Sequence, residues 1–223
     1  MRLPSVDGLP SAGEGSQPID DPASHAYGAC MACLSTSEKI LKAALALFEK
    51  EGPEAVSMRR VADAVGITPM AIYRHFPSRD ALLKRIADDS FQNVADAWTR
   101  PPDRSDALQR LYWPLQHYLD YALTHPHLFD QAFSVRRDDA RRFPEDFRDR
   151  KSPTLNVVAD ALVEGMRQGV LRDDDPWDVA MTLWAHVHGL IALYRAGRFS
   201  YDEKQFRAFY LASLEKLVHG LKA

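Results

Sequence analysis

SMRRVADAVGITPMAIYRHFPSRDALL, residues 57–83, carries the punctuation of two short helices joined by a tight turn. Ser57 is a candidate N-cap, because its hydroxyl can accept a hydrogen bond from an otherwise unpaired first-turn amide. Val61, Ala62 and Val65 then share one helical face. Gly66 stops that helix, since glycine takes a positive φ without a Cβ clash. Thr68-Pro69 starts the next one, with a capping hydroxyl followed by proline at the first helical position. This second helix is short, Met70 to His75, and Pro77 closes it. Ala62 is small where the two helices must approach closely. The spacing is that of a helix-turn-helix, whose second helix can enter a DNA major groove.

Working outward, STSEKILKAALALFEKEG, residues 35–52, sets Ile40, Ala44, Leu47 and Phe48 on one face of a preceding helix. Ser35 and Glu38 have the form of a capping box, and Gly52 is a stop signal. On the other side, Ser78 caps a fourth helix with apolar positions at Leu82, Leu83, Ile86, Phe91, Val94 and Trp98. TRPPDRSD, residues 99–106, reads as a linker. Six more helical stretches are predicted, at 106–123, 126–134, 139–150, 153–168, 176–196 and 203–221. No strand-like alternation and no solenoid repeat is visible, so the expected fold class is all-α.

Charge singles out the same region. Residues 35–85 hold nine Lys/Arg against six Asp/Glu, whereas residues 1–34 and 86–223 each sum to −3. The only positive segment is the one with the turn geometry, which suits a polyanionic partner. Residues 1–34 are acidic, rich in Pro, Gly and Ser, and read as a disordered arm that does not grip DNA. No apolar run is long enough for a membrane span, and the N-terminus lacks a signal-peptide layout, so a cytoplasmic protein without a membrane partner is expected.

Catalytic and metal chemistry finds little support. There is no Gly-rich phosphate loop, no G-x-S-x-G and no H-E-x-x-H. Cys30-x-x-Cys33 has no βαβ context, and His25 is its only nearby metal-ligand candidate. His186 and His188 stand two apart on a helix, whereas helical metal pairs need i, i+4. No cofactor, metal site or catalytic residue is expected.

The block from about Ser37 to Arg85 resembles the DNA-binding domain of the TetR family of bacterial regulators. The resemblance is carried by ILKAALALFEKEG, SMRRVADAVGIT and AIYRHFPSRDALL with their spacing. It implies three regions: the arm 1–34, a three-helix DNA-binding domain at 35–85, and a helical effector-binding and dimerisation domain at 86–223. It also implies a homodimer on double-stranded operator DNA, acting as a repressor until a small molecule releases it. Carried over by position, Tyr73 and His75 match residues that hold the DNA backbone, and Arg79 matches a phosphate contact. Ser57 should sit near a phosphate, and Arg59 can reach a base edge. Thr68, Pro69, Met70, Ala71 and Arg74 complete the reading surface. Pro69, Met70 and Ala71 are apolar and suit thymine methyls. Packing of Tyr73 on the first helix, and solvated roles for Arg59 and Arg74, are the competing readings.

WAHVHGLIALYRAG, residues 184–197, is similar to the Trp/His-Gly type of TetR C-terminal domain through Trp184, His188 and Gly189. The resemblance implies that this helix joins the dimer bundle. Phe206, Phe209, Tyr210, Leu214 and Leu217 form a stripe on the last helix suited to helix packing. The aromatic content of residues 106–223 suggests a cavity for an apolar or aromatic effector. Trp113, His117, Tyr121, Phe133, Trp184 and His188 are its candidate lining. A regulator that activates or answers to a protein partner, and a helical binding protein or enzyme with an unused helix-turn-helix, remain the alternatives.

Overall fold

The computed structural model describes residues 34–98, 106–134 and 140–223. Residues 1–33 of the arm 1–34, both cysteines, and all of the linker except Asp106 lie outside the described residues. The described chain is helical throughout apart from its turns and a single bridge between Leu171 and Lys222.

The first helix, α1, spans Thr36–Glu51. Ser35 caps it in a full capping box: its hydroxyl accepts from the Glu38 amide while the Glu38 carboxylate accepts from the Ser35 amide at 2.7 Å. A 3-10 turn at Pro53–Ala55 leads to α2, Met58–Val65, and then to α3, Pro69–Tyr73. The long α4, Arg79–Trp98, follows. Ile40, Phe48, Val56, Val61, Ala62, Ile72 and Leu82 are wholly buried between these elements. Removing such a side chain costs both transfer energy and the cavity left behind.

The remaining helices are α5 (Ala107–Thr124), α6 (Pro126–Phe133), α7 (Glu145–Arg148), α8 (Pro153–Arg167), α9 (Pro176–Arg195) and α10 (Glu203–His219). The helix predicted at 139–150 shrinks to the single turn of α7. Pro144 explains this, because proline offers no amide and disfavours helical backbone at the residue before it. α8 packs against α5 on one side and α9 on the other. The apolar core runs unbroken from Ile40 through α4 and α5 to Val218.

On α10 the inward stripe is Phe206, Tyr210, Leu214 and Val218, a strict i, i+4 row. Phe209, placed in that stripe by the sequence reading, instead faces outward and is partly exposed. With exposed Leu193 on α9 and Leu211 on α10 it leaves apolar area on the outside of the last two helices. Gly189 also meets nothing there: a Cβ built on it has no atom within 4 Å. No helix among the described residues is long and apolar enough to cross a membrane.

Candidate nucleic-acid interface and buried cavity

The turn between α2 and α3 is fixed by its own residues. Ser57 Oγ accepts from the Arg60 amide at 3.2 Å and starts α2. Gly66 ends it with φ +77°, and its amide donates to the Ala62 carbonyl at 2.9 Å. A Cβ at Gly66 would meet no atom within 4 Å, so backbone conformation and not space requires glycine there. Thr68 Oγ1 then accepts from the Ala71 amide at 3.3 Å, and Pro69 supplies the preset φ of the first turn. Ile72 is the buried anchor of α3. The helix stops at Tyr73, and Arg74 and His75 continue as a turn.

The rest of α3 except half-buried Ala71 faces out. Met70 is 70% exposed and Tyr73 49%, unusual for side chains of that size on so short a helix. Arg59, Thr68, Pro69, Arg74 and His75 are exposed, and Ser57 and Ala71 half-buried. The basic residues of this unit divide sharply. Arg60 is held by Glu51 through two bonds at 2.9 and 3.0 Å, and Arg85 by Asp89 at 2.7 Å. Arg59 and Arg74 make no ion pair among the described residues, so their charge is free for an external anion.

Arg79, expected to contact a phosphate, is also bonded within the protein. Its Nε donates to the Val56 carbonyl at 2.7 Å, and a terminal nitrogen donates to the Pro53 carbonyl. It ties the loop before α2 to the start of α4. The sequence could not reveal this, since the acceptors are backbone groups more than twenty positions upstream.

A cavity of about 460 Å³ opens beside α4. Trp98 from α4, Leu115 and Tyr118 from α5, Phe133 from α6, Phe147 from α7 and Trp184 from α9 form its aromatic and apolar wall. Tyr118 packs edge-on against Trp98 at 5.8 Å and against Phe133 at 5.1 Å. Lys84, Asp88 and Gln92, one row along α4, and Arg141 supply a polar side. Lys84 and Asp88 are paired at 3.1 Å and about half exposed, which puts them at the rim. Ser152, Pro153, Thr154 and Leu155 bring the start of α8 into the lining.

Of the six candidate ligand contacts, Phe133 and Trp184 line this cavity. Trp113 and His117 do not: their rings meet at 4.0 Å, tilted by 39°, on the α5 face that carries Asp120, the partner of Arg207 on α10. Tyr121 turns toward α1, where burial first and the nearby Glu49 second push its phenol pKa up. His188 stands behind the wall, with Nδ1 2.8 Å from the Tyr118 hydroxyl. Burial lowers the His188 pKa against the opposing pull of Asp130, and the hydrogen bond between the ring and the Tyr118 hydroxyl orients that phenol. Tyr118 itself escaped the sequence reading. Its helical register with Pro114 and Leu115, opposite Trp113 and His117, was the available signal.

Two helices connect cavity and turn. α4 carries Lys84, Asp88 and Trp98 at the cavity, and Leu82 and Ile86 in the core shared with α1. α6 ends in Phe133 at the cavity, while at its other end His125 bonds Glu49 of α1 at 2.9 Å. His127 lies where a Cβ on Gly52 would come within 3.3 Å of its ring. Arg195 of α9 grips α6 through the Pro126 carbonyl and Asp130.

Residues 40–86 match the family model described as bacterial regulatory proteins of the tetR family, and residues 115–218 match the model of the tetracyclin repressor-like C-terminal domain. The chain is 28% identical over 166 residues to the HTH-type transcriptional repressor KstR2 of Mycobacterium tuberculosis, spanning 67% of this chain and 78% of that protein. A putative transcriptional regulator from Saccharomonospora viridis, solved in complex with choline, superposes with a TM-score of 0.68 at 20% identity, over 84% of this chain and 97% of that one. The transcriptional regulator FadR of Bacillus subtilis, solved in complex with stearoyl-CoA, superposes with a TM-score of 0.64 at 15% identity, over 82% of this chain and 98% of that one.

Proposed function

Because the chain belongs to the TetR family of bacterial regulatory proteins, we propose that it is a repressor released from a near-palindromic operator by a small molecule. Members of this family are DNA-binding transcription regulators and not enzymes. The observation that carries the reading is the α2–α3 surface, where free Arg59 and Arg74 flank bare Met70 and Tyr73.

In this reading α3 lies in the major groove. Arg59 reaches a base edge or phosphate, Thr68, Pro69, Met70, Ala71 and Arg74 face the bases, and Tyr73 and His75 hold the backbone. The N-terminus of α2 at Ser57 faces a phosphate, where its unpaired amides favour an anion. Arg79 supports that surface by bracing the loop in front of α2. Residues 35–85 form the DNA-binding domain and 86–223 the effector and dimer domain, with α4 belonging to both in mechanical terms.

Two copies pair through the exposed apolar face of α9 and α10, including Leu193, Phe209 and the open side of Gly189. A two-fold dimer meets half-sites about 34–36 Å apart, or a multiple of that, which is why the operator is near-palindromic. An occupant of the cavity presses on α4 and on Phe133 of α6. It releases DNA only if it binds the wrongly spaced dimer more tightly than the DNA-bound one. The wall of Trp98, Tyr118, Phe133 and Trp184 favours an apolar or aromatic effector. Choline and stearoyl-CoA in the two related structures differ so much in chemistry that the lining of this chain, not the fold, decides its ligand.

Selection of DNA from a random pool by the purified protein tests the reading. Enrichment of a two-fold symmetric sequence is expected, lost on Arg59→Ala with Tyr73→Ala. Enrichment of an asymmetric sequence, or none, would overturn it.

A further inference from the structure

The start of α8 is the part of the cavity wall that an apolar ligand leaves unused. Ser152 and Thr154 line the cavity and are buried, at 5% and 9% exposure. Ser152 Oγ accepts from the Leu155 amide at 3.4 Å, and its own proton has no acceptor among the described residues. The Thr154 hydroxyl makes no hydrogen bond among the described residues and is not sealed in the core, so it is open to the cavity that Thr154 lines. Pro153 has no amide, and the amides of Leu155 and Asn156 are taken by Ser152. The Thr154 amide is therefore also unpaired among the described residues. α8 has fifteen residues, so its positive dipole end falls at this point. The charged groups in the lining are Lys84 and Arg141 against Asp88, and Asp88 is already paired with Lys84.

We propose that the start of α8 seats the carboxylate of an amphipathic effector whose apolar body lies against Trp98, Tyr118, Phe133 and Trp184. The inference rests on the cavity being the effector site, and it narrows the ligand from an apolar compound to an apolar or aromatic acid. The carboxylate accepts from the two hydroxyls and the Thr154 amide, which are charge-assisted bonds stronger than those a neutral group would make.

The test pairs three carboxylates, naphthylacetate, phenylbutanoate and decanoate, with their primary amides. Binding is read by quenching of tryptophan fluorescence, since Trp98 and Trp184 line the cavity. Acids should bind about tenfold or more tightly than their amides. Thr154→Val should erase most of that preference while amide binding persists, and Thr154→Ser should restore it. Equal binding of acids and amides, or a preference untouched by Thr154→Val, would overturn the carboxylate seat and leave the cavity as effector site. Quenching by neither class would overturn the effector reading of the cavity and the seat with it.

Discussion

The α2–α3 turn, which precedes α4, and the cavity, which runs along α4 to its far end at Trp98, are built in opposite ways. The turn comes from one short stretch, Ser57 to Arg79, in which each residue sets the conformation of its neighbours: Ser57 and Thr68 cap, Gly66 reverses the chain, Pro69 presets a helix. The cavity draws residues from six helices and the loop before α7, between Lys84 and Trp184. A surface made locally can keep its shape while its exposed side chains vary. A cavity made at long range changes when any contributing helix shifts. That difference suits a fixed reading head joined to an adjustable sensor.

The largest expected effect probes whether the two regions share one folding unit. Phe48→Ala should cost about 3–5 kcal/mol, measured by urea unfolding. Since the apolar core is continuous from α1 to α10, the loss should appear in one cooperative transition. Two separate transitions would show that the regions are independent.

Next in size, Arg59→Ala and Tyr73→Ala should each weaken operator binding by about 1–3 kcal/mol, measured by fluorescence anisotropy. Neither should move the unfolding midpoint, because both side chains are exposed. Trp184→Ala should do the reverse, impairing ligand binding while leaving ligand-free operator affinity within about threefold.

Arg79→Ala separates a brace from a DNA contact. Loss of its bonds to the Val56 and Pro53 carbonyls should lower stability by about 1 kcal/mol. An unchanged stability with a salt dependence reduced by about one phosphate would instead make it a direct contact.

The smallest effect is the pH response of the cavity wall. Burial lowers the His188 pKa below the 6.5 of a free ring. The unfolded chain therefore takes up this proton first as pH falls. The contribution of neutral His188 is full above 6.5 and declines as pH drops below it. Between about pH 7 and about pH 5, wild type should lose more stability than His188→Gln. An equal loss would remove His188 from the account.

These two regions also differ in how far the sequence exposes them. The helix boundaries around α2 and α3 were legible because caps and stops act within three or four residues. The helical periodicity of α1, α5, α8, α9 and α10 was equally local. Which aromatic of α5 meets the cavity was not, since Trp113 and Tyr118 carry the same apolar signal and only the packing of α8 and α9 separates them. Ser152-Pro153 was visible as a boundary, yet its role as cavity wall depends on α4 and α9 lying across it. Arg79 shows the same limit inside the legible region: its partners are backbone carbonyls, which no residue type announces.

The most direct test of the central claim, that α3 and its neighbours read DNA as a dimer through many phosphate contacts, is the affinity of the selected operator at low and at moderate salt. Affinity should fall steeply with salt, by roughly tenfold or more for each few phosphates neutralised, and the preference for the selected sequence should survive at both concentrations. Binding that is insensitive to salt, or equally weak to every DNA, would contradict that claim.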